Sequence, residues 1–148
     1  MALSQPVSGD KLNFISHSLL HRVVAVDVDA PVKSLNVDSS GNIGAGTETP
    51  TSKLHVAGSL ALPYLAITSV RTLDETDYTV DCTANTFTVT LPTAVDIQGR
   101  IYNIKNTGTG VITVATTSSQ TIDGETTQTI RQWENLTVQS NNTNWIIL

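Results

Sequence analysis

The sequence predicts a mainly β chain, and three observations carry that expectation. Threonine is abundant, 23 of 148 residues, and much of it alternates with apolar side chains, as in Thr86-Phe87-Thr88-Val89-Thr90. β-Branched residues in alternation suit strands and disfavour helices. Short alternating runs then recur from Tyr78 to the end with turn residues between them, the pattern of an antiparallel β-sandwich or barrel. Only 5% of the residues are aromatic, and glycines crowd positions 41, 44 and 46, so the middle of the chain has little with which to build a core.

Residues 1–33 read as one segment. Met1 to Gly9 is an arm broken by Pro6 and Gly9. Asp10 is placed to cap a short helix with Leu12, Ile15 and Leu19 at i, i+3 and i+7. A strand is the competing reading, because Val23-Val24-Ala25-Val26-Asp27-Val28 is strongly β-prone; residues 22–28 are assigned to a strand and Ala30-Pro31 closes the segment.

Residues 34–62 form a second, glycine-rich segment. Leu35 and Val37 alternate with polar residues, Asp38-Ser39-Ser40-Gly41-Asn42 supplies a turn, and Lys53-Leu54-His55-Val56 alternates again. Ordering each residue costs about 1–2 kcal/mol, and a few leucines bury too little to offset that. Such a segment needs a partner, and identical copies of itself are the simplest one.

Residues 63–148 are long enough for a small β domain. Strands are expected at Tyr78–Cys82, Thr86–Leu91, Arg100–Asn106, Val111–Ala115, Glu134–Gln139 and Trp145–Leu148, with Thr121–Ile122 and Thr127–Arg131 as weaker candidates. Within the second strand, Phe87, Val89 and Leu91 face one way and Thr86, Thr88 and Thr90 the other. The closing run of large apolar residues, Trp145 to Leu148, is expected to be a paired, buried strand, since frayed it would invite aggregation.

Charge narrows the function. The net charge is −5, and residues 63–148 hold eight acids against four bases. With a pI near 4.9 there is no basic stripe for nucleic acid. Cys82 is the sole cysteine, so neither an intrachain disulfide nor a cysteine zinc site is available; it reads as a small core residue. No apolar run approaches the ~20 residues of a membrane span, and the N-terminus lacks the pattern of a secretory signal.

Two stretches carry a resemblance. Gly41-Asn42-Ile43-Gly44-Ala45-Gly46-Thr47, then Pro50 and Lys53-Leu54-His55-Val56-Ala57-Gly58-Ser59, resembles a segment that recurs in bacteriophage tail fibres and other virion fibres. Most relatives carry isoleucine where this chain has Ala45. Thr86–Pro92, Gly99–Gly108, Ile122-Asp123-Gly124 and the closing Trp145-Ile146-Ile147 together look like a β domain found at the ends of such fibres. The resemblance spans about residues 35–148. It implies a homotrimeric structural protein of a tailed-phage virion, made in the host cytoplasm and displayed on the virion surface. Residues 1–33 would anchor it through Leu12, Phe14, Leu19, Val24 and Val26. Residues 34–62 would intertwine as a stalk through Leu35, Val37, Ile43, Leu54, His55, Val56 and Leu60, and residues 63–148 would form the knob.

Two locations fit that description. One is capsid decoration, as a head fibre or cement protein seated on the major capsid protein. The other is a short tail fibre or tail-tip adhesin, held by a tail or baseplate protein and binding a host glycan or other surface receptor. The short stalk favours decoration, since about thirty residues at ~3.3 Å each span under ~100 Å even when extended.

The chemistry-bearing side chains are read against this background. His17 and His21, at i, i+4, would share a helix face but lack a third ligand. His55 sits in the recurrent motif, where three copies on a threefold axis could hold a metal or an anion; its alternation with Leu54 and Val56 leaves its direction open. Asp74-Glu75-Thr76-Asp77 and Asp27-Val28-Asp29 lack the ligand spacing and the glycine of a calcium loop, and read as solvated turns. Tyr64, Tyr78, Tyr102, Trp133 and Trp145 are scattered rather than set as a sugar platform. No phosphate loop, nucleophile elbow or dinucleotide fingerprint occurs. Neither catalysis nor a cofactor is expected.

Overall fold

Alternation of β-branched and polar residues becomes strand wherever a neighbour can satisfy the main chain, and twelve short strands result in the computed structural model, which describes Pro31 and residues 34–148. The expected helix from Leu12 to Leu19, the strand over residues 22–28 and the five anchoring residues lie outside the described residues. Among the described residues there is no helix. The chain divides between Leu60 and Ala61 into two units.

The first unit contains one three-stranded sheet. β1 (Asn36–Val37) pairs antiparallel with β2 (Ile43–Ala45), and β2 pairs parallel with β3 (Leu54–Val56). The turn between β1 and β2 is built on Asp38. Its carboxylate accepts the main-chain N–H of Ser40 (2.8 Å) and of Asn42 (2.9 Å) and the side-chain amide of Asn42 (3.0 Å). Gly41 takes the left-handed conformation this turn demands, with φ of 72°.

The second unit has two open sheets around one core. One is ordered β12-β11-β8-β6-β4 and the other β10-β9-β7-β5. The strands are β4 (Tyr64–Ile67), β5 (Arg71–Thr72), β6 (Thr79–Cys82), β7 (Thr88–Thr90), β8 (Ile101–Asn106), β9 (Ile112–Ala115), β10 (Thr127–Ile130), β11 (Asn135–Ser140) and β12 (Trp145–Ile147). From β4 to β9 the chain alternates between the sheets, so β4, β6 and β8 run parallel in one sheet and β5, β7 and β9 run parallel in the other. Each parallel crossover is thus a strand of the opposite sheet, and the chain winds in coils as in a short solenoid. Only after β9 does pairing become antiparallel: β10 on β9, β11 on β8, β12 on β11.

Two sheets around one core fit the expected sandwich, but the antiparallel pairing and the barrel alternative are corrected. Neither sheet closes, and six of the nine strands are wound in parallel. Turn residues mark where a strand ends, but a chain that turns can cross to the facing sheet as readily as form a hairpin. The Asp123-Gly124 turn, the one dipeptide of hairpin type here, falls where direction does reverse, between β9 and β10. β4 and β5 precede the first strand expected in this part of the chain. They carry no alternation signal and are strands because β6 and β7 offer them an edge.

Inward residues of both sheets meet in one core that includes Val80, Val89, Ile104, Val114, Val138 and Trp145, with Cys82 buried among them. The rings of Tyr102 and Trp145 lie 5.5 Å apart, tilted at 48°, a favourable aromatic geometry. Val89 and Leu91 are buried and Phe87 packs on the core, while Thr88 and Thr90 face outward, as the alternation predicts. Buried polar groups are paired in the main: Asn106 donates to the carbonyls of Gly110 and Ile130, and Gln120 accepts from Ala94 N and donates to Thr93 Oγ1.

Candidate functional site

The register of the small sheet sorts its side chains by face. Val37 lies opposite Ile43, and Ile43 opposite Leu54, forming one cross-strand row. Ala45 and Val56 pair two residues further along and share that face by the period of two. Asn36, Gly44 and His55 form the row on the other face. One face is therefore apolar and the other polar.

The polar face is covered by the chain itself. Asn36 Nδ2 donates to the carbonyl of Glu48 (3.0 Å), and His55 Nδ1 accepts the main-chain N–H of Thr51 (3.3 Å). A Cβ at Gly44 would collide with the carbonyl of Thr47, so only glycine lets the 47–51 segment lie this close. Two of the motif's glycines thus answer to backbone geometry, Gly41 to its left-handed turn and Gly44 to this close approach.

Among the described residues the apolar face has no such cover: Val37, Ile43 and Leu54 are exposed, as are Leu35 and Leu60 beside the strands, from 40% at Ile43 to 64% at Leu60. Among the described residues the buried hydrophobic core runs from Leu73 to Trp145 and includes no large apolar side chain of the small sheet. Covering these five side chains gains roughly 1 kcal/mol each, about half the value of full burial.

Of the seven stalk residues named from sequence, Val37, Ile43, Leu54 and Val56 come together on the apolar face, while Leu35 and Leu60 are exposed outside the strands. His55 does not join them. It lies on the opposite face, half-buried under the 47–51 segment, with Nδ1 within hydrogen-bond distance of the Thr51 N–H. The signal that assigns it is its pairing with Gly44, which alternation within a single strand does not reveal.

His17, His21 and Asp27-Val28-Asp29 lie outside the described residues; the other acidic candidates make internal hydrogen bonds. Asp77 is buried and accepts Arg71 Nη2 (2.9 Å), Arg71 Nε (3.2 Å) and the main-chain N–H of Asp74 (3.0 Å). Asp74 caps its own turn by accepting from Thr76, whose N–H and hydroxyl, together with Arg71, hold its carboxyl below the usual range. Asp81 accepts the hydroxyls of Tyr64 (2.9 Å) and Thr107 (2.8 Å), which raises the Tyr64 phenol. Among the described residues no group of three or more His, Cys, Asp or Glu side chains is placed to hold a metal ion. None of their helices, there being none, is long and apolar enough to cross a membrane.

Fold and surface define a class: a mainly β protein with a two-sheet unit that has its own core and, among the described residues, a small sheet whose apolar face is exposed. No family model matches the chain, and neither curated proteins nor solved structures give a match.

Proposed function

We propose that this chain is a homotrimeric structural protein of a tailed-phage virion, a capsid decoration protein of the head-fibre or cement type. Residues 1–33 tie it to the major capsid protein, 34–62 join three copies, and 63–148 stand outward as a β knob. The observation that carries the reading is the exposed apolar row Val37–Ile43–Leu54, on a sheet that contributes no residue to the hydrophobic core of the described residues. Its role is mechanical, and the coiled, cross-laddered second unit suits a part that must survive outside a cell. The sequence resemblance over residues 35–148 supplies the virion context, and the brevity of the stalk favours the head over the tail.

Two measurements test the proposal. Light scattering on the purified chain should give three times the 15.8 kDa chain mass; one chain mass at micromolar concentration overturns the trimer. Gold-labelled protein on intact virions should mark many sites over the head. A few marks confined to one vertex would move the protein to the tail and make it an adhesin.

A further inference from the structure

β4 is the terminal strand of the five-stranded sheet and has a neighbour, β6, on one side only. The carbonyls of Pro63 and Ile67 accept from Thr79 N and Thr83 N, so by alternation the main-chain groups of Tyr64 and Ala66 point away from β6. Sheet edges in folded proteins are blunted by charge, proline, bulges or a covering segment. The other sheet ends of this unit follow that rule. The edge strand β12 is flanked by residues 121–123, through Trp145 N to Thr121 O, Asp123 N to Trp145 O and Ile147 N to Asp123 Oδ1. β5 carries Arg71, and β10 lies between Glu125 and Arg131. β4 has only Pro63, just ahead of it. Leu62, Tyr64 and Val70 around it are exposed, Tyr64 and Val70 to 65% and 72%.

Charge bears on what covers this edge. Each copy is formally −5, so a contact between copies meets least repulsion where the surface carries no charge. The 17 residues from Leu54 to Val70 contain no Asp, Glu, Lys or Arg. That neutral run begins on the apolar row of the small sheet and ends just past β4. β4 starts four residues after Leu60, so copies joined through the small sheet hold their β4 edges on short tethers, at an effective concentration of roughly millimolar.

We infer that the β4 edge, with Leu62 and Val70 beside it, is a second contact surface between copies of this chain, carried by the second unit. The inference rests on the trimeric reading above. In it, the main-chain groups of Tyr64 and Ala66 pair with, or are sealed by, a neighbouring copy.

Amide hydrogen exchange on the full-length protein, resolved by residue with NMR, tests it. Leu65 and Ile67 face β6 in any case and serve as internal references. Tyr64 and Ala66 should exchange at least about a hundredfold more slowly than an open strand edge. The paired substitution Leu62→Lys with Val70→Lys, at exposed positions, should restore fast exchange at both amides and lower the stability of the trimer to dilution, with the Tyr102–Trp145 near-ultraviolet signal unchanged. A trimer by light scattering whose Tyr64 and Ala66 amides exchange at open-edge rates overturns the inference and leaves the stalk reading standing. A monomer by light scattering removes both.

Discussion

Gly108→Ala should be among the most damaging single methyl additions to the second unit, and for a steric reason. Gly108 lies in the turn after β8, stacked on the turn after β6, where one coil rests on the previous one. A Cβ at this position would overlap the carbonyl oxygen of Ala84 and come within 2.8 and 2.9 Å of its carbonyl carbon and nitrogen. These are backbone atoms and cannot rotate away. The turn must lift, and three bonds are at stake: Thr107 N and Gly108 N to the Cys82 carbonyl (3.0 and 2.9 Å) and Thr107 Oγ1 to buried Asp81 (2.8 Å). The two neutral bonds contribute about 1 kcal/mol each and the charge-assisted one about 1.5–3. Against them stands a gain of about 0.4–1 kcal/mol from the stiffer unfolded chain. Partial loss of the set leaves a net cost of roughly 2–4 kcal/mol, a large part of a typical domain's stability. Urea unfolding at fixed protein concentration should show the midpoint falling by about 1–2 M. Two controls separate causes. Gly124 has φ of 91° and open space around it, so Gly124→Ala should lose only about 1 kcal/mol, from backbone conformation alone. Gly58 has neither constraint, and Gly58→Ala should be neutral or slightly stabilising. A Gly108→Ala protein that unfolds with the wild-type midpoint would refute the stacked-turn account of the coil.

Burial pushes the Cys82 thiol up to about 12 from an ordinary value near 9, with the neighbouring Asp81 charge adding to it. Between those values the unfolded chain releases the proton and the folded one keeps it, so stability falls as pH rises through that window; melts from pH 8 to 11 should show the slope, Cys82→Ala should flatten it, and a thiol reagent should react only on unfolding. Asp38 is held below the usual carboxylate range, first by the Asn42 N–H and then by that of Ser40. Its contribution is present above the ordinary value and lost as pH falls through the lowered one, so light scattering should show acid weakening of assembly there, a step absent in Asp38→Ala. Trp133 is exposed with φ of 71°, fixed by its N–H to Asn106 O and by the Lys105 ammonium on its carbonyl. Trp133→Asn, which tolerates that conformation, should keep or raise the melting temperature, by up to about 1 kcal/mol of stability.

Much of the second unit is legible in the sequence because alternation reports burial directly. Strands were expected at Tyr78–Cys82, Arg100–Asn106 and Glu134–Gln139, and β6, β8 and β11 fall there within two residues. Even the weak candidate Thr127–Arg131 is β10, whereas Thr121–Ile122 contributes only isolated bridges from Ile122. Pairing direction is a different kind of information. Val80 and Ile104 point inward whether their strands run parallel or antiparallel, so the period of two is silent on the coil. The closing strand shows the same limit. Trp145 is buried with its indole against Tyr102, whereas Ile147 and Leu148, for which cover by the core, a loop or a neighbouring chain is expected, are exposed in the single chain.

The stalk residues were legible as a set and not as a surface. Composition identifies a segment that cannot bury itself, but a face exists only once a register is chosen, and that register is fixed by the Asp38 turn and by the close approach at Gly44. These polar and glycine positions separate His55 from Leu54 and Val56. They place the covering 47–51 segment on one side and leave the apolar row on the other. The turn chemistry that looks incidental in the sequence is therefore what makes the apolar row a surface. Ordering its few strand residues costs about 1–2 kcal/mol apiece. The second unit offsets such costs with a core of its own, whereas among the described residues the small sheet leaves Val37, Ile43 and Leu54 exposed.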